Sequence, residues 1–357
     1  MNILLTAHRF FPDVGGTETA AESMAHEFSK AGHKVVVITQ TPGERLPMAL
    51  YELVRRPSVQ RLLELYEWCD VVVQRTLALR SSWPLLLIRK PWVVIHNDWM
   101  DRGSGLRVWL KQQMPRFAKN IAISQAVADR LPVPATVILN AYRSEVFCPP
   151  FGNKRSDDLI FVGRLIRGKG VGVLIDGMRE LERRGVHRKL TIVGTGPDGA
   201  EFKGAAKGLP VTFVGVKRNR ELSELIAEHK IMVVPCVEPE PFGIVALEGL
   251  ACGCLVVASA HGGLPEAVGP HGVLFEPGNA IALADAILVA DRAPWLLNGV
   301  AQFLSKHHAD YVASRYLEVM EAAIAEVRWK SRRRNNQGYC NKLTAHYGPQ
   351  KYENHNR

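Results

Sequence analysis

The sequence predicts an α/β protein of two doubly wound parallel-sheet, Rossmann-like domains that face a shared cleft. Three observations carry this. Short runs rich in Val, Ile and Leu alternate with longer amphipathic stretches, the pattern of parallel strands joined by helical crossovers. The alternation breaks at Pro149-Pro150 and then restarts, as expected where proline interrupts both strands and helices. The chain's 357 residues also exceed what one hydrophobic core usually serves.

In the first half the strand-like runs are 2–6, 34–39, 70–74, 92–96, 120–123 and 136–139. Residues 17–31 read as a helix, because Ala20, Ala21, Met24, Ala25 and Phe28 recur with helical spacing and Gly32 suits its C-terminal cap. Thr17 is a natural N-cap; Gly15 and Gly16 before it permit a tight turn near a phosphate or acceptor. Residues 103–119 set Leu106, Trp109, Leu110, Met114 and Phe117 near helical spacing, with Arg107, Lys111, Arg116 and Lys119 interleaved. Such a stripe either packs on its own sheet or lies in a lipid interface. After the break the strand-like runs are 159–162, 189–193, 211–214, 231–234, 255–258 and 272–275, followed by helices over 281–291, 294–305 and 311–329. The expected division is 1–150, 151–310, a helix over 311–330, and a basic, disordered tail over 331–357. In such sheets ligands bind outside the carboxyl ends of the strands.

At 47% hydrophobic and 22% charged residues the composition is that of an ordinary globular protein. No apolar run approaches a bilayer span; the run 83–88 stops at Arg89-Lys90. The N-terminus enters a strand directly, so no leader is expected. Six cysteines are scattered, and Cys252-Gly-Cys254 is too tight for the usual metal or redox spacing; free buried thiols in a reducing cytosol are expected. The net charge of +10 is uneven: +5 over residues 1–150, −2 over 151–327 and +7 over 328–357. That distribution points to contact with an anionic surface. A nucleic acid is not the expected partner, because no nucleic-acid module signature is present.

The most informative stretch is Glu240-Pro-Phe-Gly-Ile-Val-Ala-Leu-Glu248. Pro241 suits the first position of a helix. A helix starting near Phe242 leaves the amides of Gly243, Ile244 and Val245 free at a dipole-positive end, an anion site. Carboxylates beside such a cradle bind hydroxyls rather than phosphate. Glu240 and Glu248 therefore read as hydroxyl clamps flanking a phosphate site, the arrangement a nucleotide sugar needs.

With Ala251-Cys-Gly253 and Gly262-Gly-Leu-Pro-Glu266 downstream, this motif closely resembles family-four retaining glycosyltransferases of the GT-B fold, over residues 1 to about 327. The resemblance implies that Arg164 and Lys169, in Gly163-Arg-Leu-Ile-Arg167-Gly-Lys169-Gly170, grip the donor's diphosphate. Fixed cations there stabilise the charge on a departing nucleoside diphosphate; Arg167 reads as solvated. It implies further that Glu248 holds the ribose, Glu240 the donor sugar, and His96 the sugar or acceptor. Gly194 and Gly196 would line the nucleotide pocket, Ser124 and Asn140 would lie near the cleft, and the helix over 311–330 would cross back onto the first domain. Asn140-Ala-Tyr-Arg143 departs from the family's usual Asn-Gly-Val-Asp, which leaves the linker's part in positioning ligands open. No metal is expected, since the cations can do its work and no Asp-x-Asp pair occurs. No cofactor is expected beyond the sugar-nucleotide substrate.

Gly194-Thr-Gly196-Pro-Asp-Gly199 also matches the dinucleotide fingerprint. A dehydrogenase needs an acid at the end of the next strand, and 211–214 ends at Gly215. The resulting expectation is a metal-independent hexosyl- or related sugar transferase acting on a carbohydrate or lipid-linked acceptor, in cell-surface polysaccharide, lipopolysaccharide or glycolipid synthesis. It is expected in the cytoplasm or on the cytoplasmic face of the membrane. A GT-B epimerase or phosphorylase is the alternative.

Overall fold

The structure is a computed structural model; it describes residues 1–10, 16–43, 49–75, 77–100, 103–149 and 155–346, with the backbone alone at 16–18, 79, 107 and 331–346. Seven parallel strands form the first sheet: β1 (Asn2–Ala7), β2 (Lys34–Thr39), β3 (Glu52–Arg55), β4 (Val71–Arg75), β5 (Trp92–His96), β6 (Lys119–Ala122) and β7 (Thr136–Val137). Their order is β3-β2-β1-β4-β5-β6-β7. Six parallel strands form the second: β8 (Ser156–Val162), β9 (Leu190–Val193), β10 (Val211–Gly215), β11 (His229–Val234), β12 (Leu255–Ser259) and β13 (Gly272–Phe275), in the order β10-β9-β8-β11-β12-β13. Every residue of β4, β5 and β12 is buried, because helices cover both faces of a parallel sheet and leave none of its centre to water. The order in which strands are added reverses between β1 and β4 and between β8 and β11, while all strands stay parallel. The crevices at those switch points therefore face each other.

Three sequence expectations change. The edge strand β3 was not foreseen; Glu52-Leu-Val-Arg55 is short and pairs only with β2, so it carries no buried run. The helix expected over 294–305 splits into a 3₁₀ turn Pro294–Leu297 and a helix Val300–Ser305, because Gly299 between them adopts φ +77°. The stretch 103–119 likewise divides at Pro115 into a helix Leu106–Gln113 and a 3₁₀ turn Met114–Phe117.

The long helix Ala309–His346 packs on the helix Gly16–Lys30 and on β4 and β5, burying Tyr316, Met320 and Ala323. It thus crosses back onto the first sheet. It also continues through 331–346, where a disordered tail was expected; no proline interrupts the segment before Pro349. The expected boundary at 150 falls within 150–154, outside the described residues. One hydrophobic cluster runs from Ile3 and Val93 of the first sheet to Met232 and Val256 of the second, so the two sheets share an apolar contact.

Candidate active site

Between the sheets lies a cavity of about 570 Å³ walled by the loops after β5, β8 and β11, within the range of small-ligand sites. Lys169 reaches it because its loop is stapled to the loop after β11: the amides of Val237 and Glu238 donate to the Gly168 carbonyl at 2.9 and 3.1 Å. Gly170, at φ +74°, lies so close to Pro235 that an added Cβ would overlap its carbonyl oxygen. The consequence is an ion pair, with Lys169 Nζ donating to both carboxylate oxygens of Glu240 at 2.7 and 2.6 Å. The sequence reading assigned these two residues to separate parts of the donor; in the structure they form one unit. Beneath them, burial pushes the Cys236 thiol up to about 12, so it stays neutral beside the carboxylate.

The Glu240-Pro-Phe-Gly turn is braced by Gly262-Gly263. The Gly263 amide donates to the Glu240 carbonyl at 2.8 Å, and side chains at either glycine would strike the turn's backbone. The helix begins at Ile244, not near Phe242, and Gly243 is its left-handed N-cap at φ +102°. Pro241 is therefore in the turn rather than at the first helical position. Gly243, Ile244 and Val245 do line the cavity, and the helix's first turn has amides with no intrahelical acceptor. Phe242 lines it too, with its ring buried against His307. Arg164 lines the same wall, and among the described residues its side chain makes no hydrogen bond or ion pair. Arg167 is exposed and pairs with Glu201 at 2.9 Å.

Glu248, one turn along the helix, faces an adjoining cavity of about 350 Å³ formed with Thr19, Ser23, Tyr142, Arg143 and Tyr316. The cavities share Ala20, Arg75, Asn140 and Ile244. Burial pushes the Glu248 carboxyl up to about 7, opposed by the charge of Arg143. Among the described residues nothing donates a hydrogen bond to it.

Three expected site residues, His96, Gly194 and Gly196, lie off these two cavities. His96 does not line the cavity: it is buried, with Nε2 3.0 Å from Asn120 Oδ1, and burial lowers its pKa. Its successors Asn97, Asp98 and Trp99, in the loop after β5, line the wall. Gly194 and Gly196 lie against the backbone of Gly163 and Leu165, with no room for a Cβ; their smallness serves loop-to-loop packing, tied by Leu165 N–H to Thr195 O at 3.0 Å. Neither lines the two cavities. Gly15 lies outside the described residues; Gly16 opens the helix Gly16–Lys30.

The sequence reading missed three contributors. Arg75, at the end of β4, lines both cavities and donates to Asn97 Oδ1 at 2.9 Å; an arginine closing an apolar strand was the available signal. Trp99 donates from its indole to Pro239 O at 3.2 Å. Glu266 accepts from the amides of Gln125, at 2.8 and 2.9 Å, and of Ala126. With Ser124 Oγ donating to Pro241 O at 2.6 Å, these contacts pin the Glu240 turn to the first sheet. Asn140, expected near the cleft, is on the cavity wall, its carbonyl accepting from His307 Nδ1 at 2.9 Å.

Residues 156–290 match the family model described as Glycosyl transferases group 1. The chain is 26% identical over 327 residues to the GDP-mannose-dependent alpha-(1-6)-phosphatidylinositol dimannoside mannosyltransferase of Mycobacterium tuberculosis, covering 75% of this chain and 82% of that one. It is 33% identical over 185 residues to the D-inositol 3-phosphate glycosyltransferase of Actinosynnema mirum, 48% of this chain and 44% of the other. Among solved structures, Anabaena HepE in complex with UDP and glucose superposes with a TM-score of 0.71 at 19% identity, over 89% of this chain and 99% of that one. With two facing parallel sheets and these likenesses, the chain has the GT-B fold of the solved glycosyltransferases, and its second sheet region, residues 156–290, is similar to the group 1 glycosyl transferases.

Proposed function

We propose that this chain is a retaining transferase that moves a hexosyl or related sugar from a nucleoside diphosphate to a carbohydrate or lipid-linked acceptor. Its setting is the synthesis of cell-surface polysaccharide, lipopolysaccharide or glycolipid, at the cytoplasmic face of an anionic membrane. The observation that carries the reading is the meeting, on one cavity wall, of Arg164, Lys169, Glu240 and the first turn of the Ile244 helix. Cations and free amides suit the diphosphate. Glu240, held by Lys169, offers acceptor oxygens to the sugar's hydroxyls. Glu248, around the helix, suits the ribose.

In the proposed reaction the bond from the anomeric carbon to the phosphate oxygen breaks while the acceptor oxygen bonds on the same face. The acceptor's proton passes to the departing phosphate oxygen. Negative charge grows on the diphosphate as this happens, and Lys169 then shares its charge between Glu240 and the phosphate, stabilising the transition state more than the ground state. Fixed positive groups do here what a divalent ion does elsewhere. The relatives' names mention both GDP-mannose and UDP, so the base is a matter for assay. Purified protein is screened against UDP-, GDP- and ADP-sugars for nucleoside diphosphate release and for the anomeric configuration of the product. Transfer with retained configuration that persists in excess EDTA is expected. An inverted product overturns the retaining mechanism, and loss in EDTA reversed by Mg²⁺ or Mn²⁺ overturns metal independence.

A further inference from the structure

On the first sheet's flank, three segments remote in sequence form one apolar groove: the 3₁₀ turn Trp83–Leu86, the stretch 106–117, and the Val327–Lys330 part of the last helix. Large apolar side chains stand open to solvent along it, Leu86 at 87%, Phe117 at 81% and Trp109 at 55% exposure. Soluble surfaces rarely keep such groups contiguous without a partner. Cations rim the same groove: Arg89, Lys90, Arg116 and Lys330. Glu326, the nearby acid, is already held by Lys119 and Lys330, each at 2.6 Å. At the floor, Trp92 is 7% exposed and its buried indole N–H has no acceptor among the described residues, although a buried indole usually finds one.

We propose that this three-segment groove is a docking face for an anionic lipid bilayer. It deepens the peripheral-membrane reading above by assigning the surface that makes the contact. Leu86, Trp109 and Phe117 enter the interface between headgroups and acyl chains, where aromatic and aliphatic groups partition. Arg89 and Arg116 meet lipid phosphates. The rim decides between a bilayer and a second copy of the chain, because a symmetric dimer through this face would set the same cations against one another. Stretch 103–119 alone was ambiguous between core packing and lipid contact. The exposure of Trp109 and Phe117, together with segments from elsewhere in the chain, resolves that in favour of an outward face.

The test is co-sedimentation of the full chain with vesicles of neutral lipid alone or with about a third anionic lipid. Binding is expected only with anionic lipid, falling at least fivefold as salt rises from about 50 to 500 mM. The exposed pair Leu86→Ser and Phe117→Ser, and separately Arg89→Glu with Arg116→Glu, should each weaken binding about tenfold or more. Thermal melting and calorimetric nucleotide affinity should stay unchanged, which separates lost docking from lost folding. Equal recovery of wild type with neutral and anionic vesicles overturns the proposal, as does unchanged vesicle binding by both pairs. A wild-type dimer by light scattering that the Leu86/Phe117 pair dissociates also overturns it, in favour of self-association. Vesicle binding without any sugar transfer would instead sink the enzymatic reading and leave the docking face standing.

Discussion

Glu248 combines a polar task with an apolar site. Its carboxyl has an ordinary value of 4.5 and is pushed up to about 7 by burial, so the folded state holds its proton more tightly than the unfolded chain. Ionisation therefore erodes stability as pH rises from about 4.5 to 7, and the cost is constant above that, about 3 kcal/mol for a shift of this size. Glu248→Gln should accordingly match wild type near pH 4 and be more stable at pH 8; denaturant titrations at both values check this, and equal stability at pH 8 refutes it. Binding should move the other way. Losing charge-assisted bonds to ribose in Glu248→Ala costs on the order of 2–4 kcal/mol, readable by calorimetry with the free nucleoside diphosphate, and undiminished affinity would remove the ribose assignment. Glu240→Ala, by contrast, should lower turnover of the sugar donor while free-nucleotide affinity changes by no more than about threefold. A parallel loss of nucleotide affinity would show that Glu240 serves the diphosphate through Lys169 rather than the sugar.

Elements matter here chiefly at their ends. The loop after β8 carries Lys169 to Glu240 only because Gly170 can sit against Pro235 at φ +74°. Gly185 adopts a similar φ of +78° but has open space around its missing Cβ. Gly185→Ala should cost about 1 kcal/mol from backbone strain alone and leave transfer unchanged. Gly170→Ala carries the same strain plus the steric overlap, so it should be the more destabilising and should lower transfer. Equal melting temperatures for the two variants would show that the Pro235 contact yields without consequence. The start of the Ile244 helix was misread by two residues for a related reason. Proline at a helix start is a local preference, whereas Gly243 is left-handed at φ +102° where an added Cβ would strike Leu264, a contact between separate elements.

At the scale of the molecule, Trp99, Ser124 and Glu266 join the first sheet to the donor turn. Removing these bonds in Trp99→Phe, Ser124→Ala, Glu266→Ala should widen the cleft, raise the radius of gyration in solution scattering and raise the donor KM about tenfold or more. Unchanged scattering and KM would mean that the shared apolar contact alone holds the sheets. Much of the architecture was legible in the chain: the strands other than β3, and the loops after β8 and β11 as cleft loops. Val/Ile-rich runs, glycine turns and prolines act through their own backbone and nearest neighbours, so sequence carries them directly. Tertiary structure decided the rest. It set Lys169 on Glu240, 71 positions apart, gave Glu248 a cavity of its own, exchanged His96 for Asn97 and Asp98 on the wall, and joined Leu86, Trp109 and Val327 into one face. Each of these depends on which loops the folded sheets bring together. Those are distances through space, and the order of residues along the chain does not contain them.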